Sequence, residues 1–252
     1  MNIILCPFIG NNNEKNLDYK QSFGEIIKQY SFLKANEDGR NDVSEVIEVD
    51  DIDSLGEYVK DHSVLLGTDN RFTANAFRHF IANTKKDSGG GSSSMNNNNN
   101  NNGNAGLLSF DSDCSCLELV KTGILSHNNI IFAATRSLSK EDSDYIKQQK
   151  INYFSMKKLF EFGIDEATDT IMELCREFSA LYISIDISCV DSAFASSTLK
   201  HDIGGLSSRE LIYMIQRLKL LKNLKVVDIV GFSKEIDANT ARLAAKIIKE
   251  LS

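Results

Sequence analysis

No apolar run in this chain approaches the ~18–20 residues that a membrane span requires, so no membrane segment is expected. Positive charge is also short: 28 Lys and Arg face 35 Asp and Glu, for a net charge of −7, and no basic cluster interrupts the chain. A nucleic-acid footprint would need such a stripe, so nucleic acid is excluded as the expected partner. The five cysteines form no C-x-x-C pair, the closest being Cys114 and Cys116. That pattern predicts reduced, buried thiols in a cytoplasmic protein, not a disulfide framework. The opening residues Met1-Asn2-Ile3-Ile4-Leu5-Cys6-Pro7 carry neither a basic leader nor Arg-rich transit character, so no targeting peptide is expected.

What the chain does contain is enough apolar material, 42% over 252 residues, for one large buried core. Short apolar runs mark strands at Asn2–Cys6, Glu45–Val49, Ser63–Leu66, Leu107–Phe110, Asn129–Ala134, Ile151–Phe154, Leu181–Ile185 and Lys225–Val230. Near-continuous apolar strands suit a parallel sheet covered on both faces. Amphipathic stretches with start signals lie between them. Ser207-Ser208-Arg209-Glu210 is a capping box, Ser139-Lys140-Glu141-Asp142 is a similar one, and Asp237 is placed to cap a last helix over Ala238–Leu251. The expected fold is therefore α/β: a single three-layer domain over residues 1–252, with a mainly parallel eight-stranded sheet and helices on both faces. A closed barrel satisfies the same strand count. Residues 88–106, SGGGSSSMNNNNNNNGNAG, have almost no apolar content and are expected to be a disordered insert that interrupts this domain without dividing it.

Ligands of open α/β sheets bind at the carboxyl ends of the strands. Those ends read Gly67-Thr68-Asp69-Asn70-Arg71, Asp111-Ser112-Asp113-Cys114-Ser115, Asp186-Ile187-Ser188-Cys189-Val190-Asp191, and Asp228-Ile229-Val230-Gly231-Phe232. Strand alternation sets Asp111, Asp113 and Ser115 on one side, with Cys114 and Cys116 on the other, and pairs Asp186 with Ser188. Converging carboxylates and hydroxyls are the start of a hard-cation site. An Asp at a strand end equally caps the next turn, a role that suits Asp69 and Asp191.

These segments, in this order, resemble the ureohydrolases: arginase, agmatinase and formiminoglutamase. Leu66-Gly67-Thr68-Asp69-Asn70-Arg71 is similar to that family's G-G-D-H-S, and Phe110-Asp111-Ser112-Asp113-Cys114-Ser115 to its D-A-H-x-D. Ser184-Ile185-Asp186-Ile187-Ser188-Cys189-Val190-Asp191-Ser192 is similar to S-x-D-x-D-x-x-D-P, and Gly204-Gly205-Leu206-Ser207-Ser208-Arg209-Glu210 to the G-G-L-[ST]-x-R-E that follows it. Thr135-Arg136-Ser137 matches a further strand end. The resemblance implies a parallel eight-stranded α/β fold, a two-manganese site, hydrolysis of guanidino or related C–N bonds, and oligomers.

Against that pattern this sequence departs at the ligand positions. Asn70 and Asp113 stand where the family has His, Ser115 and Ser188 where it has Asp, and Gly231 where it has the acidic residue that meets the substrate's cationic group. Asp191 is followed by Ser192 where the family has proline, in a chain with one proline in all. Asp111, Asp113 and Asp186 are left as a vestigial or single-metal site. The resemblance with these departures implies a catalytically inactive protein without a cofactor, retained for a structural or regulatory role in a homo-oligomer or with a related chain. The alternative is a hydrolase of an amidine C–N bond with one Mn or Mg ion on the three aspartates. Without a metal, the carboxylates need another cation. Arg71, in the Ser position of the first motif, is the first expectation, with Lys200 and His201 in the loop ahead of Gly204 as reserves. His62, His79 and His127 fall at element edges and are expected to be solvated.

Overall fold

The computed structural model describes residues 1–7, 17–40, 45–49, 51–60, 62–87 and 104–252. Its strands are β1 (Asn2–Leu5), β2 (Glu45–Glu48), β3 (Ser63–Leu66), β4 (Ala105–Phe110), β5 (Ile130–Thr135), β6 (Asn152–Ser155), β7 (Ala180–Asp186) and β8 (Leu224–Val230). They form one open parallel sheet in the order β2-β1-β3-β8-β7-β4-β5-β6. The closed barrel is thereby replaced by a sheet with two edges. Each expected strand is present, Ser63–Leu66 unchanged and the others within two residues at their ends. Most of the expected insert, 88–103, lies outside the described residues. Its last two residues do not belong to it: Ala105 and Gly106 are buried at the start of β4, where Gly106 leaves room for the Phe178 ring.

The helices are α1 (Leu17–Phe32), α2 (Asn70–Asp87), α3 (Glu118–Lys121), α4 (Lys140–Gln149), α5 (Met156–Phe162), α6 (Ile164–Arg176), α7 (Ser208–Leu218) and α8 (Ala238–Leu251). Capping works as the sequence predicts at α7 and α8, while at α4 Ser139 caps without the reciprocal bond of a box. Ser207 and Glu210 form a reciprocal capping box at α7, Ser139 accepts from the Asp142 N–H at α4, and Asp237 accepts from the N–H groups of Asn239 and Thr240 at α8.

Two apolar cores flank the sheet because successive side chains of a strand point to opposite faces. Leu108, Leu181, Ile183, Ile185, Val227 and Ile229 join one core with α1, α5, α6, α7 and α8. Leu107, Tyr182, Val226 and Val230 join the other with α2 and α4. Among the described residues no helix is long and apolar enough to cross a membrane, and all five cysteines are buried and free.

Candidate functional site

The four central strands, β3, β8, β7 and β4, are consecutive neighbours, and their carboxyl ends meet on one edge. Register does the positioning. Phe110 pairs with Ile185, and Asp186 with Val230, so Asp111 and Asp186 stand side by side one residue further on. Both are buried.

Past Phe110 the chain leaves the strand. Cys114 takes a left-handed conformation and Ser115–Leu117 form a 3₁₀ turn. Asp111 organises this departure: its carboxylate accepts from the backbone N–H of Ser115 at 2.7 Å and of Asp113 at 3.3 Å. The turn brings Asp113 and Ser115 round to the same side as Asp111, and the Ser115 hydroxyl donates to Asp113 Oδ1 at 2.6 Å. Asp186 behaves alike at the end of β7. Its Oδ1 accepts from the Ser188 N–H at 2.8 Å, and its Oδ2 from the Asn70 amide at 2.7 Å. Simple strand alternation does not carry Ser188 along: a 3₁₀ turn at Ile187–Cys189 aims its hydroxyl at Ser112, 3.1 Å away.

Lys200 closes the cluster. Its ammonium lies 2.7 Å from Asp113 Oδ1, 2.8 Å from the Ser115 hydroxyl and 4.0 Å from Asp111 Oδ1. Arg71, the first expectation for this task, turns instead to Asp69, which also accepts the Arg71 backbone N–H at the start of α2. His201 is exposed to solvent. The loop that carries Lys200 is pinned on both sides. Leu199 donates its N–H to the Gly231 carbonyl and Ser233 donates to the Ser197 carbonyl, while Asp202 pairs with Arg136 at 3.3 Å. Arg136, half-buried, also donates to the carbonyls of Ser188, Asp202 and Ile203, tying the β7 turn to this loop.

Gly231 has its own reason. Its φ is +85°, and a Cβ there would press into the Asp186 carboxylate far closer than side chains approach one another. The residue that stands in place of a family carboxylate is thus what lets β8 lie against Asp186. Asp191 serves the turn, accepting from the N–H groups of Ala193 and Gly204.

The charges follow the geometry. Two ionised carboxylates ~4 Å apart repel by about 4 kcal/mol at an effective dielectric of ~20. Burial, reinforced by Asp186 and Asp113, pushes the Asp111 carboxyl well above the usual range. Burial also raises Asp186, against the bonds from Ser188 and Asn70. For Asp113 burial is outweighed by Lys200 and Ser115, and its pKa falls. For Lys200 burial is likewise outweighed, chiefly by Asp111 and Asp113, and its pKa rises. The cluster is one firm ion pair beside two carboxyls biased toward their neutral forms. Beside it opens a cavity of about 320 Å³, lined in part by Asn70, Arg71, Ser115, Asp186, Leu199 and Lys200.

A family model described as the arginase family matches residues 73–252, most of the chain and three of the four strand ends that build this cluster. The chain belongs to the arginase family. As an arginase-family protein it spans about half the length of the curated relatives it matches. The arginase of Staphylococcus aureus (strain COL) is 26% identical over 146 residues, which are 56% of this chain and 48% of that protein. Solved structures agree on the fold. Arginase of Entamoeba histolytica, in complex with L-ornithine, aligns with a TM-score of 0.76 at 16% identity, covering 99% of this chain and 97% of that one. Formimidoylglutamase from Bacillus subtilis aligns at 0.77 and 18%, covering 99% and 84%.

The donor set does not suit the two-metal centre implied for the family. Among the described residues no group of three or more His, Cys, Asp or Glu side chains is arranged so that it could hold a metal ion. Asp186 spends both oxygens on N–H donors, Asp113 is bound to an ammonium, and Asn70, Ser115 and Ser188 supply an amide and hydroxyls where a hydrolytic centre needs imidazole and carboxylate. Lys200 is the site residue that sequence reasoning ranked too low; its only signal was its place in the loop ahead of Gly204. Arg136 and the role of Gly231 as a spacer left no local signal beyond their motifs.

Proposed function

We propose that this arginase-family protein does not hydrolyse guanidino or amidine C–N bonds, holds no resident metal, and is kept for a structural or regulatory role in an oligomer, with itself or with a related chain. One observation carries the reading: the Lys200 ammonium sits among the carboxylates, 2.7 Å from Asp113. Hydrolysis of such bonds uses a metal-generated hydroxide, which needs a multiply charged ion to lower the pKa of water. An ammonium supplies one charge and no ligand position. It can neutralise Asp113 and orient Ser115, but it cannot activate water. Neither Gly231 nor its neighbours Val230 and Phe232 offer an anion for a substrate's cationic end. The oligomeric part of the reading is supported by two bulky apolar side chains on α5, Phe160 and Phe162, which are 88% and 52% exposed.

Purified protein supplied with Mn²⁺ is expected to release neither urea nor ammonia from arginine, agmatine or formiminoglutamate, and to carry no stoichiometric metal by plasma mass spectrometry. Steady turnover that disappears in Asp111→Asn would replace this reading with that of a hydrolase using one ion on Asp111, Asp113 and Asp186. Sedimentation that shows a monomer at all concentrations would remove the oligomeric part.

A further inference from the structure

We propose that Lys200 is a tethered counter-cation that occupies the seat of a divalent ion, and that removing it turns the carboxylate cluster into a divalent-cation site. The inference rests on the metal-free reading above and goes beyond it, because it says what keeps the metal out. Three features support it. First, a cation is already seated there: the ammonium bridges Asp113 and the Ser115 hydroxyl and faces Asp111. Second, it is held by the fold and not by its own side chain alone. Thr198 makes an antiparallel bridge to Phe232, Leu199 donates to Gly231, and Asp202 pairs with Arg136, so the backbone on both sides of Lys200 is anchored. Third, one positive charge faces three aspartates, and one oxygen donor remains unused. Asn70 Oδ1 is buried without a hydrogen-bond partner on a residue lining the same cavity as Asp186, Ser115 and Lys200. Hard divalent cations bind through carboxylate, amide and hydroxyl oxygens, completing their shell with water. Lys200 blocks that chemistry by position: a divalent ion close to Asp113 Oδ1 would lie against the ammonium and be repelled.

Lys200 is thus a positioning residue, and its test is a binding measurement on the full chain. The wild type is expected to show no change in melting temperature with 1 mM MnCl₂ or with chelator, and no heat of Mn²⁺ binding. Lys200→Ala is expected to melt several degrees lower, to recover at least half of that loss with MnCl₂, and to bind Mn²⁺ in calorimetry at least tenfold more tightly than the wild type. Lys200→Gln, which keeps a hydrogen-bond donor for Asp113 but no charge, provides a gentler variant should the alanine form not fold, and should gain the same Mn²⁺ response. Lys200→Arg should not gain it, and neither should Lys200→Gln combined with Asp113→Asn. The proposal is overturned if Lys200→Gln shows no Mn²⁺-dependent shift, or if the wild type binds Mn²⁺ as tightly as either neutral variant. A wild type that neither binds metal nor turns over substrate, beside a Lys200→Gln that also ignores Mn²⁺, would sink this inference alone. A wild type that binds Mn²⁺ and hydrolyses would sink the functional reading with it.

Discussion

On the side of α1 and α5–α8, Leu108, Ile183, Ile185 and Val227 meet Phe23, Ile171, Met214 and Ile247 in an unbroken apolar layer. On the side of α2 and α4 the same strands present Tyr182, Ser184 and Asp228, with Thr73 of α2 packed over them. Tyr182 donates its hydroxyl proton to Asp228 Oδ2 at 2.8 Å, and the Thr73 and Ser184 hydroxyls lie 3.2 Å apart. This buried polar seam runs up β7 and β8 to Asp186 and the Lys200 cluster. Burying polar groups costs stability unless they are paired. The comparison teaches that one face of the sheet is apolar throughout, while the other combines its apolar core with the cost of the site.

The sharpest way to break that division is at its boundary. Gly231→Glu, which introduces an acidic residue where the family resemblance has one, combines a left-handed backbone with a clash on Asp186. It should destabilise by about 3–5 kcal/mol, seen as loss of soluble protein or a collapse of the urea midpoint. Partial recovery in Gly231→Ala with Asp186→Ala would locate the clash; a midpoint near wild type would mean β8 does not press on Asp186. Next in size, Ile183→Ala on the dry face should cost about 3 kcal/mol with the same magnitude at pH 5 and pH 8, since no titrating group of the seam touches that face.

Asp228 should behave in the opposite way. Burial, against the bonds from Ser184 and Tyr182, pushes its carboxyl up to about 6. A folded pKa above the unfolded value means that the proton stabilises the fold. That contribution is complete below about pH 4, the unfolded value, and is lost as pH rises through about 6. Asp228→Asn should therefore gain roughly 2–3 kcal/mol over wild type between pH 4 and pH 7.5, measured by chemical denaturation at both ends. An unchanged difference would show that the seam does not titrate. The smallest effect is expected at the half-buried cap of α8. Burial of Asp237 is outweighed by bonds from Ser197, Thr240 and Ser196, which hold its carboxyl well below the usual range. Its contribution is present above about pH 4 and lost as pH falls further, so Asp237→Ala should cost about 1 kcal/mol at pH 7. The loss should shrink in acid, in thermal melts recorded down to pH 3.

The parts that were legible in the sequence are those encoded by neighbours along the chain. Apolar runs announced all eight strands, and in the interior ones burial on both faces favours near-continuous apolar stretches such as Leu107-Leu108 or Ile130–Ala134, which Ser109, Ser184 and Asp228 only interrupt. Ser139, Ser207 and Asp237 announced three helix starts, because a cap bonds within its own first turn. The clustering of Asp111, Asp113 and Ser115 was also foreseen, although a turn organised by the Asp111 carboxylate, not strand alternation, produces it. Only the tertiary structure decided which cation meets those carboxylates. Arg71 is spent locally on Asp69, two residues away, whereas Lys200 reaches Asp113 across 87 residues because Thr198, Leu199 and Asp202 are fastened to distant strand ends. Likewise, the spacing between Gly231 and Asp186 follows from the parallel register of β7 and β8. A side chain's local partner can be read from its spacing along the chain, but a partner brought by sheet order and loop anchoring exists only once the whole sheet has formed.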